Sequence, residues 1–469
     1  MKMSIISSEV MQFLTFVISN LKQKMRAQDP KFSNNTLFWV KLEIFIDPNH
    51  KLVELRKQLP WEQLVEIWDR AYSNEDFWNE KIHPRIMVAI LIYHAYYLKK
   101  SFRELKEDFR YNIVLQYFCG YEELQLMKID HSTINKFESA LWEENIKEIL
   151  KIVEDIAVKK QPPRSKWTSV SDTTVIPSNI SFPTDINLLE KIRVFLHDFL
   201  LENQKIIWEE YRTYAKTARE NYISYSKARK ISKKDIKKKL KKQIQFVRRN
   251  ISQSEDLIWK IEDFLKDKKL SFTKKELKQF EKLKKKIGLA KEILQQQEIL
   301  YRDWKLPKWT WRMVSFYRKN IRPIYRWKKL NRTEFWLKVD FIKIWKAIIL
   351  WKNSYDNFHD WSALKESIEQ FENRWIKDKV RIWDKWLSGQ SKLMKEKWII
   401  DWIEKRWKRT TPKKVSKKIF KRERALIEAT IWIFKNVFYW NTKSRAKTDF
   451  GDKRNVLLWF IGYNLRYAF

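Results

Sequence analysis

Glycine is nearly missing from this chain: 469 residues contain only 5, where a protein of ordinary composition would carry roughly 30. This scarcity constrains the fold more than any other feature. Tight turns and helix C-terminal caps need backbone at positive φ, which glycine adopts freely and other residues resist. Tryptophan is correspondingly abundant, with 25 copies, 17 of them between positions 301 and 469. Several stand where a turn-former is expected: Trp351, Trp361, Trp375, Trp383, Trp386 and Trp407. Two readings follow. Either the gene uses UGA as a glycine codon and has been translated as though UGA meant tryptophan, or the chain is an aromatic-rich stacker of nucleic-acid bases. Only the first accounts for the missing glycines. Trp61, in LPWEQL, lies within a helical pattern and reads as a genuine tryptophan.

Charge narrows the partners. There are 97 Lys and Arg against 58 Asp and Glu, a formal net charge of +39. Such a charge repels itself unless a polyanion shares the load, which points to nucleic acid or an anionic membrane. The longest apolar run, IMVAILIYHAYYL, is too short to span a bilayer and suits a buried helix. The opening MKMSIISSEVMQFLTFVISNLKQK lacks a small-residue cleavage site and reads as a leader helix, not a signal peptide. No membrane partner is expected, and nucleic acid leads. Cys119, the one cysteine, rules out an internal disulfide and a cysteine-based zinc site. Neither GxxxxGK[ST] nor HExxH occurs, so nothing implies ATP or a zinc protease.

Patterning divides the chain into a leader (1–30), a helical N-terminal domain (31–155), a first α/β piece (165–210), a basic helical insertion (211–300) and the remainder of the α/β part (301–469). In the helical domain, Asp130 or Ser132 can cap the helix of HSTINKF. Short helices joined by tight turns fit either a helix-turn-helix DNA reader or a bundle that packs on the rest. KKQPPRSK is an extended connector. TSVSDTTVIP then reads as a strand and DINLLEKIRVFLHDFL as a helix. The insertion holds 27 Lys and Arg against 11 Asp and Glu, which suits phosphate contact better than a merely solvated arm. Strand-like segments return at WRMVSFYRKN, EFWLKVDFIKIW, KAIILWKNS and KDKVRIWD. Helices are expected in SALKESIEQFENR and RERALIEATIWIFKNVF. This order describes an α/β fold split by a helical insertion and preceded by an all-α domain.

Three acids stand in positions suited to chemistry. Asp172 interrupts an apolar, β-branched strand, where a charge is costly unless paired or metal-bound. Asp384 ends the strand VRIWD, and Glu428 lies in the apolar helix ALIEATI. Two adjacent strands and a facing helix can bring three such carboxylates around divalent ions that activate water against a phosphodiester. Arg424 and Lys435 lie near one helical face with Glu428, as a phosphate grip or an ordinary ion-pair stripe. His359 is an isolated histidine that suits a structural role or a leaving-group contact.

These segments resemble those of bacterial insertion-sequence DDE transposases of the IS5/IS4-like superfamily, particularly its IS1182-like group. The resemblance spans roughly residues 30–469. It rests on HPRIMVAILIYHAYYLKKSFRELKEDFR, YFCG and DHSTINKF, then on SDTTVIPSNISFPTD, IRPIYRWKKLNRTEFWLKV, VRIWDKWLSG, RALIEATIWIFKN and NVLLWFIGYNLR. Reading glycine at Trp327, Trp336, Trp383, Trp386 and Trp432 brings each segment closer to the family. The resemblance implies an RNase-H-like catalytic core interrupted by the basic insertion. It implies Asp172, Asp384 and Glu428 as the catalytic, metal-binding triad, with Mg2+ as cofactor and Mn2+ as a substitute. Arg322, Arg326, Lys328, Arg424 and Lys435 become the DNA contacts. Lys421 stands where the family's last motif usually has tyrosine. The implied activity is cleavage at element ends followed by strand transfer. The implied partners are double-stranded DNA (terminal inverted repeats and target) and a second copy of the chain in the active complex. The implied location is the bacterial cytoplasm, at the nucleoid. A nuclease without strand transfer and a non-catalytic DNA-binding protein are the alternatives.

Overall fold

The computed structural model describes residues 41–469 apart from 72–81, 98–100, 124–128, 164–167, 179, 181–183, 229, 268–270, 304–311, 326–332, 357–361, 375, 377–379, 384–399, 404–416, 439–445 and 447. The leader segment 1–30 therefore lies outside the described residues. The chain is mostly helical, with a small mixed sheet inside it.

The N-terminal part is a run of helices: α1 (Lys51–Gln58), α2 (Trp61–Ala71), α3 (Pro84–Tyr96), α4 (Phe102–Tyr111), α5 (Ile113–Cys119), α6 (His131–Ala140) and α7 (Glu143–Lys159). Local chemistry sets their ends. Ser101 and Glu104 form a reciprocal capping box at the start of α4. Asp130, one of the two candidates, caps α6 by accepting from the Ser132 amide. Gly120, at φ 110°, closes α5 in the left-handed region that favours glycine. The helix α3 is apolar nearly all round, and residues 86–93 are buried without a break, as a central helix requires.

The strand β1 (Thr168–Pro177) opens the sheet. The chain then leaves through α8 (Asp185–Ile207), α9 (Ala215–Ser226), α10 (Lys233–Lys266) and α11 (Lys274–Asp303). It returns through two short strands, β2 (Ile324–Tyr325) and β3 (Thr333–Glu334), into β4 (Trp336–Ile344) and β5 (Ala347–Ser354). The elements α12 (Ser362–Asn373), β6 (Val380–Trp383), β7 (Ile400–Ile403), α13 (Lys417–Asn436) and α14 (Asp449–Tyr467) complete it. Five strands form one sheet in the order β5-β4-β1-β6-β7. β1 pairs antiparallel with β4 and β4 with β5, whereas β1–β6 and β6–β7 are parallel.

Among the described residues the apolar side chains form two large cores and a third, small cluster that includes Ile342, Ile344, Ile349 and Phe371. The larger joins the N-terminal helices to the sheet and the last two helices, through residues such as Trp68, Val88, Phe118, Phe341, Ile382, Phe434 and Phe460. The smaller belongs to α8, α10 and α11, through Leu189, Leu196, Val247, Leu257, Ala290 and Ile293. The charge of α10 sorts accordingly. Leu240, Ile244, Val247 and Ile251 make a narrow buried stripe, and lysines crowd the exposed surface of the first three turns, between Lys233 and Lys242.

One expected strand is absent. Residues 312–322 of the strand-like WRMVSFYRKN region run as irregular turns. Residues 313–316 are buried without a break because the segment bridges two cores: Met313 and Phe316 enter the helical one, and Val314 enters the sheet core. A short continuous buried run has the look of an inner strand. Arg318 locks this bridge. It donates to Asp449 (2.9 Å), Asp452 (2.6 Å) and the Tyr355 hydroxyl (2.5 Å), and Tyr355 in turn donates to Asp452 (2.8 Å).

The sheet's β5 edge is closed by side chains. Asn464, fully buried on α14, accepts from the Ile348 amide (3.0 Å) and donates to its carbonyl (2.9 Å). Glu154 on α7 accepts from the Leu350 amide (2.7 Å) and pairs with Arg374 (2.7 Å). Burial outweighs that arginine and pushes the Glu154 carboxyl up to about 7. Asn464→Ala strips two buried backbone groups of their partners, so it is expected to cost about 2–4 kcal/mol. Urea unfolding checks this; an unchanged midpoint would mean that water satisfies Ile348 equally well.

Candidate active site

The strand β1 is central, with a neighbour on each side. Its residues 169–171 and 174–176 are buried, while Asp172 and Thr173 open partly to solvent. Asp172 lies opposite Phe341 of β4, and its Oδ1 accepts from the Thr173 amide (2.8 Å). A carboxylate in this setting needs a counter-charge. One comes from α13: Arg424 Nη1 sits 3.9 Å from Asp172 Oδ2. That same Nη1 is buried and makes no hydrogen bond, so a strong donor beside Asp172 is left unfilled.

The helix α13 lies against the sheet because Ile427, Thr430 and Phe434, at helical spacing, are fully buried. The adjoining flank, which Arg424 turns toward β1, also carries Glu428, Trp432 and Lys435. Glu428 and Trp432 are exposed, and Arg424 and Lys435 are half-buried. The structure thus brings Asp172 and the helix bearing Glu428 together through Arg424. Asp384 lies outside the described residues, immediately after the last residue of β6. Among the described residues, no group of three Asp, Glu, His or Cys side chains could hold a metal ion. Arg322 is half-buried and turns its Nη1 onto the carbonyls of Lys319 and Ile321 (3.1 Å for the latter). Arg326, Lys328 and His359 fall outside the described residues.

Two buried cations beside the site escaped the sequence reading. Lys343 on β4 is 8% exposed and donates to Thr430 Oγ1 (2.5 Å) and the Tyr463 hydroxyl (3.1 Å). It ties α13 and α14 to the sheet. Strand alternation does not flag it, since residues 339–344 are buried at both parities. Arg381, fully buried on β6, donates to Ser367 (2.7 Å) and stands over the Phe371 ring (4.6 Å). Nothing short of the pairing itself marks it in the sequence.

Burial lowers the Lys343 ammonium from 10.5 to about 8, partly offset by the Glu423 carboxylate. The depressed folded value makes unfolding take up a proton between those limits. Stability from this group is therefore gained as pH rises from about 8 to 10.5, and is lost as pH falls back through about 8. Lys343→Met is expected to flatten that rise in denaturant titrations across the window. Parallel slopes for the two proteins would show that Lys343 is not its source.

Residues 40–140, covering α1 to α6, match the family described as Transposase domain (DUF772). No curated protein and no solved structure matches the chain. No helix among the described residues is long and apolar enough to cross a membrane. A transposase-family domain is therefore present in the N-terminal part of the chain.

Proposed function

We propose that the chain is a DDE-type DNA transposase, with Asp172, Asp384 and Glu428 as its metal-binding acids on an RNase-H-like core. The observation that carries this reading is the approach of Arg424 to Asp172, with an unfilled buried donor, which sets the Glu428 helix over the central strand. Topology supports it. Numbered by their order in the chain, the sheet strands run 3-2-1-4-5, antiparallel across 3-2-1 and parallel across 1-4-5. This is the arrangement that an RNase-H-like core requires. Strand pairing supports the choice of acids. β1 and β6 pair as Thr168↔Val380, Ser169↔Arg381 and Val170↔Ile382. In sequence, Asp384 comes directly after β6, the strand paired with β1.

Carboxylate oxygens are the hard donors that Mg2+ prefers, and Mn2+ accepts the same set. Bound by Asp172, Asp384 and Glu428, the metal would lower the pKa of water and stabilise the leaving oxygen. The protein's own groups do the rest. Arg424 is placed to donate to the phosphate beside Asp172, and Lys435 extends the cationic stripe along α13. The helix α10 has 34 residues and therefore reaches roughly 50 Å. Its exposed Lys233, Lys234, Lys237, Lys238, Lys241 and Lys242 offer a track for a second stretch of DNA backbone. Water would cleave the phosphodiester at each element end, and the freed 3′-hydroxyl would then displace a phosphodiester oxygen in target DNA. Two ends call for two copies of the chain.

Asp172→Asn and Glu428→Gln are each expected to lower Mg2+-dependent cleavage of DNA carrying the element ends by at least about 100-fold, a loss that outer-shell changes alone can produce. Binding of the same DNA should persist, because the lysine track is untouched. Cleavage that survives Asp172→Asn would sink the assignment. Cleavage without joining to target DNA would identify a nuclease instead.

A further inference from the structure

Among the described residues, three other than glycine sit at positive φ: Trp208 (57°), Tyr214 (51°) and Trp345 (54°). Two of the three are tryptophans, and neither was among the positions singled out from sequence.

Trp208 follows the last residue of α8 in the left-handed conformation, at ψ 31°. The Glu209 amide reaches back to the Gln204 carbonyl (3.4 Å), the six-to-one bond of a Schellman cap, and the Trp208 amide donates to the same carbonyl. The left-handed residue of that cap is most often glycine. Trp345 is the first of two residues joining β4 to β5, since Ile344 pairs with Ala347. Positive φ at that position, with Lys346 not sharing it, is the pattern of hairpin turns that take glycine first.

A bulky residue in either place is strained, and nothing repays the strain. Trp208 is 94% exposed and Trp345 41% exposed. Tyr214 differs, because its ring is held between Arg212 (4.7 Å) and Arg249 (4.4 Å). Trp68 differs in the other sense. It is 2% exposed, sits in a helix and packs on Phe137, as a genuine tryptophan should.

We propose that positions 208 and 345 are glycine in the natural protein, encoded by UGA in a gene whose own code reads UGA as glycine, and that Trp68 is a true tryptophan. The proposal goes beyond the transposase reading and does not depend on it. Backbone geometry and the glycine deficit are independent observations, and they converge on the same substitution. Trp432, exposed on α13 four residues beyond Glu428, is the position where it bears most on function. Glycine there would leave the outward face of the helix free of an indole ring.

The test is the codon at each position, together with peptide masses of the protein purified from its own source. UGA at 208 and 345, UGG at 68, and glycine masses at the first two positions are the expected result. UGG at 208 and 345, or tryptophan masses there, overturns the proposal. A third measurement uses the chain as written. Trp208→Gly and Trp345→Gly should each raise the folding equilibrium constant by about 5- to 30-fold, the scale of relieving a left-handed non-glycine residue. Trp68→Gly should lower it. Loss of stability in the first two variants counts against glycine at those turns.

Discussion

A carboxylate in the middle of a covered sheet is the constraint around which this molecule is arranged. Asp172 lies on the central strand, opposite Phe341 and only partly open to solvent, so its charge calls for a partner from above the sheet. Arg424 meets it, and this requires α13 to lie across β1. The helix is held there by Ile427, Thr430 and Phe434 beneath it and by Lys343 reaching up from β4. Glu428 follows one turn after Arg424. The electrostatic requirement of one acid thus fixes where the next one stands.

The second organising feature is the separation of the two cores. The helices α8, α10 and α11 bury their apolar stripes mainly against one another and carry the cationic surface outward. Their link to the sheet is narrow. Arg318 gathers Asp449, Asp452 and Tyr355 at the point where the chain returns, joining the start of α14 to the end of β5. A buried guanidinium held through Nε and Nη2 by two carboxylates and a hydroxyl is directional, so it constrains the angle at which the helical arm leaves the sheet. Apolar packing alone would leave that angle loose.

The sequence was most legible where local chemistry decides. The β-branched run around Asp172, the capping box at Ser101 and the acid at Asp130 each acted as their residue types dictate. The order of α and β segments carried the general α/β arrangement. What stayed hidden depends on pairing between distant segments. Lys343 and Arg381 look like surface charges until strand order places them inside. The stretch 312–322 looked like a strand because residues 313–316, wedged between two cores, are apolar or small and buried without a break. β7 drew no notice, since IDWI is short and amid charge. Asp384, Arg326, Lys328 and His359 fall outside the described residues, so their part in the site rests on sequence.

The outer rim of β5 carries a last implication. Asn464 presents an amide to Ile348 much as a neighbouring strand would, and Glu154 occupies the amide of Leu350. Those backbone groups are already spoken for, and two helices stand in the way of any intruding strand. A second copy of this chain that extended the sheet along β5 would have to break these bonds, so the rim resists strand addition at Ile348 and Leu350, while the sheet's other edge strand is β7.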